Sequence, residues 1–383
     1  MSVIWILARA SGRRRAKALE EALAGRARVV SLGPAGDPPP HLELPPQGGL
    51  EPALESCPPE LRPAACVCLE AGASRELDCL PCPVVGWGGG WGPEGELPAD
   101  PGAAAAELLR RAGEGFRPAW MERVQVNLPL ADLWGPYREL ARSLPLNLEL
   151  GLDARALDGM GDAELARLRG WLAGRRLTAH LPFMGLVPGS ADPQVAELAG
   201  RRLRQGAEMA LALGCIQAVA HLGFDHRYSY DPQDYARRAA EQLAPVARRL
   251  AEGRVRLVLE NVFEAEPGPL LAAREAIVEA AGVEVGFCLD VGHALAFSRT
   301  GLAAWWEALA PHLGELHLHD NLGEGDLHLP PGWGRVDWAF LGRALGGLEE
   351  EPVLTLEPHR EGHLWAGLRA LGRLWSWGEG CGT

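Results

Sequence analysis

The chain has 383 residues, 47% hydrophobic and 23% charged, with 37 Lys+Arg against 50 Asp+Glu for a formal net charge of −13. It is too apolar for a disordered chain and too acidic for a general binder of polyanions, so nucleic acid and anionic membranes are disfavoured as partners and a small-molecule substrate is expected. No apolar run reaches the ~18–20 residues of a membrane helix; the arginines at Arg9, Arg13, Arg14 and Arg15 follow the short apolar run Val3–Ala8, the reverse of a signal peptide, and a cytoplasmic location is expected.

Residues 1–116 read as a small α/β (Rossmann-like) module. Val3–Ala8 is a short buried strand, Arg13–Ala24 a helix and Ala27–Leu32 a second strand. Pro34–Pro63 is rich in Pro and Gly without sustained periodicity and reads as loop. Ala64–Glu70 and Pro83–Trp87 add strands and Ala103–Ala112 a helix, which predicts a parallel sheet of three or four strands. Cys57, Cys66, Cys68, Cys79 and Cys82 lie here; C-x-C followed by C-x-x-C admits zinc, an iron–sulfur cluster or redox chemistry. With Pro-rich surroundings and no paired His, buried thiols are the simpler reading. The stretch GWGGGWG at Gly86–Gly92 lacks both G-x-G-x-x-G spacing and a Walker Lys, and reads as a turn carrying two tryptophans.

From residue 117 to 383 short apolar runs alternate with helical segments. The runs are Val124–Leu128, Asn147–Leu152, Leu177–Phe183, Gln217–Gly223, Arg256–Val262, Val285–Val291, Glu315–His319 and Pro352–Glu357. Helices are expected at Ala191–Leu213, Pro232–Glu252, Pro269–Ala281, Leu302–His312, Trp338–Leu345 and Gly362–Trp375. Eight βα units in roughly 255 residues predict a (β/α)8 TIM barrel. Strand period then sorts the side chains. Leu177 and Ala179 oppose Thr178 and His180; Ala218 and Ala220 oppose Val219 and His221; Leu257 and Leu259 oppose Val258 and Glu260. Phe287 and Leu289 oppose Cys288 and Asp290; Leu316 and Leu318 oppose His317 and His319; Leu354 and Leu356 oppose Thr355 and Glu357. Six successive strands therefore end in His, His, Glu, Asp, His and Glu, at the barrel end where active sites of this architecture lie.

Taken singly, His180 or His221 at a strand end is a hydrogen-bonded core histidine, and Glu260 or Glu357 half of an ion pair. Taken together, three carboxylates converging without cations carry a severe like-charge and desolvation cost that a divalent cation relieves. Imidazole with carboxylate suits zinc, manganese or iron better than magnesium. His293, three residues after Asp290, and the D-x-H pair Asp326 and His328 lie in adjoining loops and offer further ligands. Glu264, Asn261, His226, His319 and His359 lie near the same mouth, as substrate contacts or as supports for the ligands.

This set resembles the xylose isomerase-like TIM barrel superfamily, which includes endonuclease IV, sugar isomerases and epimerases. The resemblance covers about residues 121–377 and rests on HLPF at His180, HLGF at His221, ENVFE at Glu260, LDVGHA around Asp290 and His293, HLHD at His317, DLHLPPGWG at Asp326 and LEPH around Glu357, in that order. Carried over from the endonuclease branch, it implies a first metal on His180, His221 and Glu260. A second would sit on Glu260, Asp290, His317 and Glu357, and a third on His293, Asp326 and His328. Single-metal isomerases need mainly Glu260, Asp290, His317 and Glu357. The five extra ligands favour two or three divalent ions and hydrolysis of a phosphoester in a small or nucleotide-like metabolite, as in relatives that remodel cobamides. The endonuclease's His-Pro-Gly is HLGF here and no basic residue follows HLHD, which turns the expectation away from DNA repair. The alternative is a sugar or sugar-phosphate isomerase or epimerase with one divalent metal, in which Glu260 and Glu357 exchange a proton with the substrate and Arg335 stands in for the expected anion-binding arginine.

Overall fold

A computed structural model describes residues 3–7, 13–24, 27–33, 42–43, 62–63, 65–68, 75–87, 93–114, 119–227 and 231–375. Cys57, most of the Pro34–Pro63 stretch and residues 88–92 of the glycine-rich stretch lie outside them. Contacts cluster the chain into two compact units, Met1–Pro118 with Arg360–Arg369 and Ala119–His359 with Ala370–Thr383.

The first unit holds a parallel sheet of β1 (Val3–Leu7), β2 (Arg28–Gly33), β3 (Leu42–Glu43), β4 (Ala65–Cys68) and β5 (Val84–Gly86), in the order β3-β2-β1-β4-β5. Four of these strands follow the apolar runs. The fifth, β3, lies within the stretch read as loop; two residues paired to Leu32 and Gly33 are too few to leave a period-two signal. Both faces of the sheet are apolar, as a sheet covered on two sides requires. Ile4, Ile6, Val67 and Val85 pack with Leu19 and Leu23 of the helix Arg13–Leu23 and Leu108 of the helix Pro101–Glu114. On the opposite face Trp5, Cys66, Cys68 and Val84 pack with Leu77, Leu80 and Cys82. Burial drives the Cys66 thiol well above its ordinary pKa and Cys82 up to about 12, so neither is a ready thiolate. Within this unit the buried Arg369 guanidinium donates to the carbonyls of Asp78, Leu80 and Cys82 and pairs with Glu94.

The second unit is a closed barrel of eight parallel strands: β6 (Gln125–Pro129), β7 (Asn147–Gly151), β8 (Leu177–His180), β9 (Gln217–His221), β10 (Arg256–Glu260), β11 (Val285–Asp290), β12 (Leu313–Leu318) and β13 (Val353–Leu356), with β13 pairing back to β6. Local chemistry sets the helix ends. Asp192 and Asp231 cap helices that begin at Pro193 and Pro232, and Gly214 and Gly282 end theirs with the left-handed φ values of 78° and 67°. Three helices after β6 and β7, Arg138–Ser143, Ala154–Gly159 and Asp162–Trp171, were not evident from periodicity; they are short, and the apolar stripe they bury is narrow. Outward strand residues such as Leu257, Leu289, Leu316 and Leu354 are buried. The interior is partly polar. Gln125 donates to Thr178 at 2.7 Å, and Glu315 accepts from Gln217 at 2.7 Å and from Thr355 at 2.5 Å, beside a small apolar cluster of Val219, Val258 and Cys288. Among the described residues no helix is long and apolar enough to cross a membrane.

Candidate metal centre

The barrel brings the nine side chains expected from the sequence as metal ligands into one neighbourhood. Glu260, at the end of β10 and almost fully buried, is the hub. Its Oε2 lies 3.1 Å from His180 Nε2, 3.0 Å from His221 Nε2 and 3.5 Å from His317 Nδ1, and its Oε1 lies 3.2 Å from His293 Nδ1. His317 Nδ1 is also 3.8 Å from Asp290 and 3.3 Å from Glu357. Asp326 Oδ2 receives His293 Nε2 at 3.3 Å and His328 Nε2 at 3.0 Å.

Backbone geometry aims these side chains. Asp290 ends β11 and caps the short helix Val291–Ala296, accepting from His293 N at 2.6 Å, so the i+3 spacing in LDVGHA places His293 beside the strand mouth. A Cβ at Gly292 would overlap the His319 ring, which explains a glycine between the two ligands. Asp320, fully buried, organises the loop that carries Asp326 and His328: Oδ1 accepts from Asn321 N and Val336 N, and Oδ2 from Gly332 N and Trp338 Nε1. His328 has φ 47°, a left-handed conformation rare outside glycine and held here by that loop.

Hydrogen bonds orient three of the imidazoles. His180, His293 and His328 each donate Nδ1–H to a backbone carbonyl, of Leu181, Asn261 and Glu357 respectively, each at 3.0 Å. That leaves Nε2 of each ring turned toward a carboxylate, the position from which it could bind a metal once its proton is displaced. His317, fully buried, makes no hydrogen bond through either ring nitrogen, a pair of orphaned polar atoms that a cation would satisfy. Burial works to raise the pKa of Glu260, but His221, His317 and His180 hold it well below the ordinary carboxylate range. Burial also opposes ionisation of Asp290, yet His293 and His319 bring it down to about 2. Burial lowers the basicity of His180, and Glu260 and Glu149 more than offset it, to about 9. Protons on these histidines supply the positive charge that divalent ions would supply in their place. Glu357 moves upward, through burial and the carboxylates of Asp290 and Glu260. The donor chemistry fits zinc, manganese or iron.

Four further residues belong to the centre. His319 Nε2 lies 2.9 Å from both Asp290 oxygens, and His319 joins His293, Asp326 and His328 in one cluster able to hold a metal. Glu149 Oε1 faces His317 Nε2 at 3.3 Å from β7, Glu315 stands 3.9 Å from the same nitrogen, and Asn127 donates to Glu149 and Glu357. Glu149, Glu315 and Asn127 share the inward parity of the strand-end ligands, so carrying the alternation further down each strand finds them. Asn261 pairs with the Asp290 backbone at both N and O, whereas His226 donates to the Phe263 carbonyl away from the cluster. Among the described residues, no cluster able to hold a metal includes a cysteine.

Comparison with known proteins agrees with the barrel fold. Residues 148–374 match the family described as xylose isomerase-like TIM barrel. A Thermus thermophilus protein, TTHB071, whose crystals were soaked with zinc chloride, is 32% identical, with 68% of this chain and 100% of that one covered at a TM-score of 0.56. A D-tagatose 3-epimerase-like protein shares the fold at 19% identity, covering 67% and 98% at a TM-score of 0.56. An uncharacterised protein of Methanocaldococcus jannaschii is 24% identical over 198 residues, 47% of this chain and 64% of that protein's length. The chain belongs to the xylose isomerase-like TIM barrel family.

Proposed function

We propose that the chain is a metal-dependent hydrolase of a phosphoester in a small or nucleotide-like metabolite, using two or three zinc, manganese or iron ions. The observation that carries this reading is the number and sharing of donors. Glu260 belongs to two clusters able to hold a metal, with His180 and His317 and with Asp290 and His293, and His293 also joins His319, Asp326 and His328; the nine candidate donors exceed what one ion's four to six positions use. When bound, such ions polarise a phosphoryl group and stabilise the charge that develops on it. The chain's own part is to orient the imidazoles through their Nδ1 hydrogen bonds and to keep Glu260 and Asp290 ionised.

A second reading, a single-metal sugar or sugar-phosphate epimerase or isomerase, is favoured by the epimerase-like fold neighbours and by the compact set of Glu260, Asp290, Glu357 and His317. Arg335 donates to the Leu322 carbonyl and is not among the residues lining the cavity, which weakens the sugar-phosphate form. Metal stoichiometry in protein purified without chelator, followed by parallel phosphoester and ketose panels, separates the two. Two or three ions with phosphate ester cleavage supports hydrolysis. One exchangeable ion with epimer formation supports the second reading, and failure to take up metal after reconstitution overturns both.

A further inference from the structure

The cavity above the donor cluster has a volume of about 730 Å³, well within the range that takes a drug-sized organic molecule. One side is the donor set. The other is apolar: Phe183, Met184, Leu186 and Val187 from the loop after β8, with Phe263 and Phe297 from the loops after β10 and β11. Phe183 and Phe263 are each 40% exposed and Met184 is 83% exposed, a concentration of uncovered apolar surface at the mouth of a site. The Phe183 ring leans on the ligands themselves, 4.9 Å from His180 and 4.3 Å from His221, and Phe263 meets Phe297 edge-on at 4.9 Å. A second cavity of about 580 Å³ shares Asn127, His180, Phe183, Met184 and Leu186 with the first. Its two arginines are engaged, Arg155 by Asp132 and Asp153 and Arg202 by Asp158. Among the described residues lining the first cavity there is no Arg or Lys, and beyond the donors its polar side chains are Asn127, Asp225 and His359.

We infer that the substrate carries a single phosphoryl group on a large, flat, uncharged body, which lies against the wall of Phe183, Met184 and Phe263 while the phosphoryl group meets the donors. This rests on the phosphoester reading of the site. The lining selects against two other chemistries. A free sugar brings hydroxyls that an apolar wall leaves unpaired. A nucleoside polyphosphate brings further negative charge, and the described residues lining the cavity supply no Arg or Lys to meet a second phosphate.

The test is calorimetric binding to the zinc-loaded full chain with three probes: inorganic phosphate, 1-naphthyl phosphate and D-fructose. 1-Naphthyl phosphate is expected to bind about tenfold or more tighter than phosphate, from the apolar area the ring system buries. In Met184→Ser and Phe263→Ser, exposed enough to be replaced without opening the core, the ratio of the two affinities should fall toward one, with zinc content and circular dichroism measured alongside. Equal affinity for the two phosphates in the unmodified protein overturns the inference and leaves the phosphoester reading standing. Failure of both phosphates to bind, or tighter binding of D-fructose, overturns the phosphoester reading and the inference with it.

Discussion

Replacing Asp320 by Asn changes one atom, and the structure gives the cost. Each carboxylate oxygen accepts two hydrogen bonds, Oδ1 from Asn321 N at 2.9 Å and Val336 N at 3.0 Å, Oδ2 from Gly332 N at 2.9 Å and Trp338 Nε1 at 2.8 Å. An amide keeps one oxygen and turns the other acceptor into a donor, so in either orientation two N–H groups face an NH2. Stranding a buried donor costs about 1–3 kcal/mol, which puts Asp320→Asn at roughly 2–6 kcal/mol. The loop has little room to adjust, because a Cβ at Gly334 would already overlap the Asp320 carboxylate. For a unit of this size the loss corresponds to a fall in Tm on the order of 10 °C. Since the same loop positions Asp326 and His328, zinc held there should weaken in step. Thermal melts of metal-free and zinc-loaded protein, with metal content by mass spectrometry, read both effects. An unchanged melting temperature together with full metal content would refute the account of Asp320 as the anchor of the loop.

Three other outcomes are expected. The double substitution Asp326→Ala with His328→Ala should lower metal content by one ion per chain while the circular dichroism spectrum stays that of a folded barrel; an unchanged count removes the third site. Glu149→Gln, which takes the charge from the group facing His317 Nε2, should weaken metal affinity about 10- to 100-fold, and wild-type affinity in that variant would show that Glu149 does not orient the imidazole. Metal uptake should strengthen as pH rises. In His180 and His328 burial lowers the pKa, but Glu260 and Asp326 raise it further, to about 9 in each, so at neutral pH a divalent ion must displace a proton from both. Titrations at several pH values in buffers of different ionisation enthalpy measure the protons released; affinity independent of pH would contradict the assigned ligands.

The barrel and its donors were legible because two independent periodicities agree. The alternation of strand runs and helices gives the architecture, and the parity within each run separates Leu257 and Leu259 from Glu260, or Leu316 from His317. The deeper polar layer escaped because attention to strand ends stops at His317 and does not descend to Glu315, nor reach Glu149 on β7, although both obey the same parity. The two-residue strand β3 and the short helix Val291–Ala296 carry too few residues to show a period. The support given by Asp320 was hidden for another reason: its four donors are brought to it by the three-dimensional path of a loop, which spacing along the chain does not encode. Metal number is likewise illegible from ligand identity, because Glu260 serves more than one set.

The donors run from His180 on β8 to Glu357 just past β13, and the seam between β13 and β6 is held by two register pairs, Thr355 with Gln125 and Leu356 with Val126, against four or five at most of the other joins. Asn127 on β6 reaches across that seam to Glu357 at 3.3 Å. The centre is thus a clasp on the barrel's narrowest join. During synthesis His180 and His221 emerge long before Glu357, so the full donor set exists only once the last strand has closed the ring. Ions that bind the closed form and not the open one pull the equilibrium toward closure. If the proposed centre binds metal, metal supply would govern how tightly the barrel stays shut, and a metal-starved chain should be cut by proteases first along the β13–β6 seam.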